Sequence, residues 1–307
     1  MAFDNVNNYN TTQAKSEQTI PLIYDESLRR SLYEAETLRP LGDDRSALLS
    51  GSGDTFQTYK RSKFSVSTIT EGQAIPVSKT TYDKIEVTID WYGDAKQIPL
   101  QSYVSVFPFV LQDWNLDAVS ALGENRDNVI MAELVTGASE VIYPVGETPV
   151  TEDNIAVGDV ISYEQILIGR TKFRKNLHNA DNLIVSPEDY SVLLKDPRFI
   201  GAEYIDGRPV MNGLVGGILS MNVFETTAVT YSEEGSQEGV LVANNIMMEN
   251  NAFIYVQKYA PVFAFAEIPG VRNLGYEYAY YESFGCKTQT PEALMVIKSA
   301  VGLVEES

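Results

Sequence analysis

The sequence predicts an α+β fold on three observations: one alternating strand pattern, one long helical stripe, and short strand and helix signals mixed through the second half. In KIEVTIDW, Ile85, Val87, Ile89 and Trp91 recur at every second residue, which puts them on one face of a strand. After Pro108, the residues Leu111, Leu116, Val119, Leu122, Val129, Ile130 and Leu134 trace a buried helical stripe. NLIV followed by SPEDYSVLL sets a short apolar strand directly before a short helix.

In chain order, residues 1 to about 20 are rich in Asn, Thr and Gln and have little to bury, which predicts an arm that orders against a partner. Leu28, Leu32 and Leu38, punctuated by Glu34 and Glu36, then fit a short amphipathic helix. Gly42 to Asp54 returns to loop composition. KFSVSTI, with Phe64 and Val66 on one face, is read as the strand that pairs with KIEVTIDW. The connection TEGQAIPVSKTTYD, carrying Gly72 and Pro76, is long for a hairpin turn, so the pair should project as an arm. A two-stranded arm is marginal alone and expects a surface to lie on.

The long helix follows, weakened at Gly123 by about 1 kcal/mol relative to Ala. A second helix is expected in TEDNIAVGDVISYEQILIGRTKFRKNL, with Val160, Ile161, Ile166, Leu167 and Phe173 apolar. Its last turns carry Arg170, Lys172, Arg174 and Lys175, which suit the negative end of the helix dipole. In VSPEDYSVLLKDPRF, Ser186 is an N-cap and Pro187 takes the first helical position. Glu188 and Asp189 fill the first turn, and Tyr190, Leu193 and Leu194 form the buried face. RPVMNGLVGGILSMNVFET reads as extended segments broken by Gly213, Gly216 and Gly217, and long strands with a final apolar element complete the chain.

Composition narrows the functional classes. The 307 residues are 44% hydrophobic, enough for one or two domains with a real core. With 23 Lys and Arg against 42 Asp and Glu, the net charge of −19 disfavours a dedicated nucleic-acid reader. That acidity suits either a protein that encloses DNA without gripping it or one made in a high-salt cytoplasm. A single Cys286 excludes an intrachain disulfide and a cysteine metal cluster. No basic start with an apolar segment and no long apolar window occurs, so neither secretion nor membrane spanning is expected.

Each candidate chemical motif has a stronger structural account. GLVGG precedes a strand rather than opening a helix, so its glycines read as turns and not as a phosphate cradle. Asp153 to Glu164 has calcium-loop spacing at its ends and at Gly158, but Ile155 and Val157 stand where oxygen ligands are required. His178, the only histidine, reads as a helix-end residue, and Cys286 as a packed small side chain rather than its nucleophilic partner. Glu188 and Asp189 point about 100° apart on a helix and complement its dipole instead of flanking one bond. Tyr276, Tyr278 and Tyr280 share a strand face that packs on a helix or a neighbouring subunit. No catalytic residue, cofactor or metal ligand is assigned.

This order of elements, from about residue 20 to 300, resembles the major capsid proteins of tailed double-stranded DNA viruses, those with the Hong Kong 97-type capsid fold. SKFSVSTITEGQAIPVSKTTYDKIEVTIDW resembles the family's extended β-hairpin loop and WNLDAVSALGENRDNVIMAEL its long spine helix. VGDVISYEQILIGRTKFRKNL with NLIVSPEDYSVLLKDPRF is similar to the two helices of its mixed α/β axial domain, and VMNGLVGGILSMNVFET to the axial segment where glycine turns lead into a strand.

The resemblance implies an N-terminal arm over 1–55 and an extended loop over 56–98. It implies a peripheral domain with the spine helix over 99–139 and 251–284, and an axial domain over 140–250 and 285–307. Function follows as a self-assembling shell subunit, not an enzyme, whose pentamers and hexamers close an icosahedral head around double-stranded DNA. Expected partners are other copies of the chain, with scaffolding, portal and decoration proteins, in a virion assembled in the host cytoplasm. A separate scaffolding protein is expected, because little sequence precedes the loop. Gly72 and Pro76 are expected near the loop tip at a subunit contact. Lys79 and Lys84 lie in the loop, but no Asn or promoting Glu is located, so the Lys to Asn cross-link of some relatives is not carried over. An encapsulin-like compartment shares the fold, and an acidic carbohydrate-active enzyme is the reading from another class.

Overall fold

Two of the chain's sheets share a core with one long helix. The computed structural model describes residues 36–49, 53–64, 66, 68, 69, 71, 72, 77, 79–144, 155, 156, 158–195, 218–232, 240–267 and 275–301. Its strands are β1 (Asp43–Asp44), β2 (Thr55–Arg61), β3 (Tyr82–Thr88), β4 (Asp90–Pro99), β5 (Glu140–Ile142), β6 (Asn182–Val185), β7 (Asn222–Glu225), β8 (Tyr231–Ser232), β9 (Val242–Met248), β10 (Phe253–Glu267), β11 (Gly275–Thr288) and β12 (Leu294–Ala300). The helices are α1 (Leu100–Gly137), α2 (Tyr163–Lys175) and α3 (Pro187–Lys195).

One sheet runs β1-β10-β11-β4, the second β5-β12-β9-β6-β7 with β8 on β9, and β2 and β3 form a separate two-stranded ribbon. The α+β class predicted from the sequence is the observed one, and strands outnumber helices among the described residues.

The long helix α1 packs between the sheets. Its Ile130, Met131 and Leu134 enter a core with Phe253, Tyr255 and Phe284 of the first sheet and Ile246, Met248 and Leu294 of the second. On the other face of the second sheet, Ile166 and Phe173 of α2 and Tyr190 and Leu193 of α3 pack on Leu183, Met247, Met295 and Ile297. Covered on both faces, β9 is buried at all seven positions, its two asparagines accommodated by hydrogen bonds from Asn244 to the Thr230 carbonyl and from Asn245 to Asp189. Burial of apolar area at about 25 cal/mol per Å² stabilises these layers.

Several elements begin elsewhere than the pattern suggests. The outgoing strand of the arm is β2, Thr55–Arg61, paired antiparallel with β3 from Thr55↔Thr88 to Arg61↔Tyr82. Phe64 and Val66 lie beyond it and are exposed, because the alternation in KFSVSTI has no covering layer to answer to. Trp91 does not continue the face of Ile85, Val87 and Ile89. The chain leaves the ribbon at Ile89 and enters the first sheet as β4, where Trp91 pairs with Ser283 and is 55% exposed.

Helix α1 starts at Leu100, so Pro108 lies inside it, and Leu116 and Val119 are 49% and 47% exposed rather than buried. The buried face is carried by Ala118, Leu122, Arg126, Asp127, Ile130, Met131 and Leu134, a stripe with two charged residues in its middle. The side chain of Leu111 lies outside the described residues. Helix α2 begins at Tyr163, after Ser162 accepts from the Gln165 N–H as its cap, so Val160 and Ile161 precede the helix. It ends through Leu177, whose φ of 64° is in the left-handed region that closes many helices.

Asp43 and Asp44 pair in parallel with Ile254 and Tyr255, although their surroundings read as loop. The amphipathic helix around Leu28 and Leu32, the turn residue Pro76, and Gly213, Gly216 and Gly217 lie outside the described residues. Leu38 is fully buried in the core that α1 shares with both sheets.

Gly285 on β11 faces the carbonyl oxygen of Thr88, so closely that a Cβ there would overlap it. Gly285→Ala is therefore expected to cost roughly 1–3 kcal/mol through overpacking. Gly53, with open space around it, should accept Ala within about 0.5 kcal/mol. Thermal melts of the two variants check the contrast, and equal midpoints would count against the close approach.

Candidate assembly interface

Where the ribbon meets the body, Phe56, Ile85, Val87 and Ile89 pack on Ile254 and Val256, the face of β10 opposite α1. Strand β2 alternates half-buried Phe56, Thr58 and Lys60 with exposed Thr55, Gln57, Tyr59 and Arg61. Polar ties hold the base: the Arg45 guanidinium donates to Thr58 Oγ1 at 2.8 Å, and Lys258 Nζ to the Gly53 carbonyl at 3.0 Å and Asp54 Oδ1 at 2.8 Å.

Several apolar side chains at the outer end of the ribbon and in the connection beyond it are exposed among the described residues. Phe64 is 70%, Val66 98% and Val77 96% exposed, with Ile69, Tyr59 and Tyr82 also open to solvent. Gly72 takes φ 86°, a turn conformation that a side chain would strain, with nothing within 4 Å of where a Cβ would stand. Of the two expected contact residues, Gly72 is thus placed at a turn of the loop, and Pro76 lies outside the described residues.

The body under the ribbon is fixed by a charged clasp. Arg126 Nη2 donates to Glu282 Oε2 at 2.7 Å and Nε to Oε1 at 3.0 Å, joining α1 to β11, while Nη1 reaches Glu36 Oε2 at 2.7 Å. The next residue, Asp127, accepts from the backbone N–H groups of Thr37 at 2.8 Å and Leu38 at 3.1 Å. Burial pushes the Glu282 and Asp127 carboxyls above the ordinary range despite these donors. For Arg126, burial pulls the pKa down but the bonds to Glu282 outweigh it.

A second polar knot lies at the second sheet. Asp189, fully buried at the start of α3, accepts from Asn245 Nδ2 at 2.5 Å and Ser299 Oγ at 2.6 Å through Oδ2. Its Oδ1 has no partner, and burial raises its pKa. Glu188 instead accepts from the Tyr231 hydroxyl at 2.8 Å, so the adjacent carboxylates diverge, as their helical spacing predicts. Asp189 does more than complement a dipole: it ties α3 to β9 and β12.

The remaining candidates are packing groups. His178 Nδ1 lies 2.6 Å from Glu249 Oε2 at the end of α2, and the Cys286 thiol, pushed up to about 12 by burial, faces the Val129 carbonyl. Tyr278 is buried against α1, with its hydroxyl donating to Asn115 Oδ1 at 2.6 Å and its ring 5.7 Å from Trp114. Among the described residues, no group of His, Cys, Asp and Glu is arranged to hold a metal, and no helix is long and apolar enough to cross a membrane. The sequence reading missed Arg126 and Glu282, though Leu122, Arg126, Ile130 and Leu134 at four-residue spacing carry the signal for the first.

A family model described as phage capsid protein matches residues 87–298. Solved structures agree in fold. A Mycobacterium phage Che8 structure superposes with a TM-score of 0.68 at 14% identity, covering 91% of this chain and 96% of that one. The capsid structure of the cyanophage P-SCSP1u gives 0.72 at 11% identity, over 92% and 93%. The capsid of Ralstonia phage GP4 gives 0.63 at 13%, over 92% and 95%. No curated protein matches the sequence.

Two variants test the polar knots. Arg126→Ala strands the Glu282 carboxylate in the interior and should cost about 3–5 kcal/mol in a denaturant titration. For Asp189, the folded pKa is raised, so its contribution to stability is fully present below the ordinary aspartate value and is lost as pH rises through the folded one. The melting temperature of Asp189→Asn relative to wild type should therefore climb as pH is raised from about 4, the ordinary aspartate value, to neutrality. A pH-independent difference would contradict this.

Proposed function

Because this chain belongs to the phage capsid protein family, whose model spans residues 87–298, we infer that it is a major capsid protein. We propose that its copies form the pentamers and hexamers of an icosahedral head, with the β2–β3 arm as the contact that reaches from one copy to the next. The observation that carries this reading is the exposure of Phe64, Val66 and Val77 in the connection beyond the paired strands β2 and β3. Apolar side chains that no part of the body covers gain stability only against another surface.

In this reading, residues 56–98 are the extended loop, with the N-terminal arm in 1–55. Helix α1 with β10 and most of β11 is the peripheral domain, 99–139 and 251–284, whose sheet is completed by β1 from the arm span and β4 from the loop span, and the second sheet with α2 and α3 is the axial domain, 140–250 and 285–307. Gly72 lies at the loop tip against a neighbour. Assembly takes place in the host cytoplasm with scaffolding and portal proteins, decoration proteins bind outside, and the acidic chain encloses double-stranded DNA without gripping it.

The mechanism is geometric. One rigid body with a compliant arm serves several similar environments, and area buried between copies, on the order of 1,200–2,000 Å² for a stable pair, closes the shell. Electron microscopy of the purified chain, alone and with a scaffolding partner, should show closed shells. Replacing residues 62–81 by a short turn should leave a folded body that forms none. Shells built equally well by the shortened chain would overturn the role given to the arm.

A further inference from the structure

We propose that the arm attaches electrostatically to a second copy of this chain, its outer cations Arg61, Lys63 and Lys79 resting on the neighbour's carboxylate-rich body. This rests on the arm being an intersubunit contact, and it specifies what draws the arm in.

Charge is distributed unevenly along the chain. From Thr55 to Ile89 there are five cations, Lys60, Arg61, Lys63, Lys79 and Lys84, against the three carboxylates Glu71, Asp83 and Glu86, a net of +2. Of the 23 Lys and Arg and 42 Asp and Glu in the whole sequence, 18 and 39 remain elsewhere, a net of −21. The molecule is thus an acidic body with one basic limb.

Within the limb, Lys84 pairs with Glu86 on its own strand, and Lys60 reaches Glu292 of the body at 3.5 Å. Arg61, at the end of β2, and Lys63 and Lys79, in the connection between β2 and β3, are exposed along with Phe64, Val66 and Val77 of that connection. The Arg61 guanidinium sits 4.6 Å from the centre of the Phe64 ring, so charge and apolar surface are presented together. Two chains of net −19 repel one another, whereas a limb of opposite sign lowers that repulsion where it lands and orients the approach. Surface complementary in sign to the limb is what the rest of the chain supplies.

The full-length chain tests this through the concentration at which shells or capsomers form, read by light scattering and sedimentation. Arg61→Glu, Lys63→Glu and Lys79→Glu together should raise that concentration roughly tenfold at low salt, as expected for a few exposed pairs. The difference should shrink at about 0.5 M salt, where screening is strong. Arg174→Glu, Lys175→Glu and Lys195→Glu, which alter the net charge equally from exposed positions outside the arm, should shift it much less. Circular dichroism checks that both variants fold.

Equal effects of the two triple variants, or none from the first, would overturn the electrostatic attraction. So would capture of a DNA duplex by wild type that the arm variant loses while its assembly is unchanged. A photo-crosslinking residue in place of Phe64 separates this from the arm reading itself. Crosslinks to a second copy with no charge effect remove the electrostatics alone, and no crosslinks remove the intersubunit arm with it.

Discussion

The buried pair between Arg126 and Glu282 is the constraint on which the rest of the structure depends. It sits at the crossing of α1 and β11, with both side chains withdrawn from solvent and the guanidinium donating to both carboxylate oxygens. Desolvating two charges is expensive, and the bonds between them offset the cost only in good geometry. The pair therefore specifies a register: sliding α1 along the sheet by one turn would separate the charges in an apolar interior. Stacking of Tyr92 and Tyr255 on Phe284, two residues along β11, fills the space beside it.

From that crossing the constraint spreads in two directions. Toward the N-terminus, Glu36, Thr37 and Leu38 are fastened to Arg126 and Asp127, so the chain enters the body at the middle of α1. Toward the ribbon, the outer face of the same β11 supports Thr88 at Gly285, and the outer face of β10 holds Val87 and Ile89. One face of the sheet is thus committed to the helix and the other to the base of the arm. The second sheet is organised independently around Asp189, Asn245 and Ser299, which bind α3 to its central strands.

What the sequence made legible were elements whose pattern answers to a single layer. The cap of α3 and its buried Tyr190 and Leu193 are where SPEDYSVLL puts them, and Tyr278 faces a helix as the alternating tyrosines require. Patterns that answer to two layers were misread. Ile89 and Trp91 alternate without a break, yet the chain changes sheets between them, which periodicity of two does not register. The stripe of α1 was extended to Leu116 and Val119 because apolar residues were counted and charged ones skipped. Its true continuation runs through Arg126, whose partner Glu282 lies 156 residues away. Gly72 was legible as a turn residue, while the clash-free seat at Gly285 depends on a strand from elsewhere in the sequence and leaves no local mark.

The single residue between β3 and β4 has a mechanical consequence. Ile89 is buried and its N–H is held by the Asp54 carbonyl at 2.9 Å, while the strands on either side belong to different sheets. The ribbon is then a lever with its fulcrum at that residue. A push at the tip is delivered as torque on the edge strand β4, which the chain continues directly into α1. A force applied to the ribbon is thereby passed to the longest helix among the described residues.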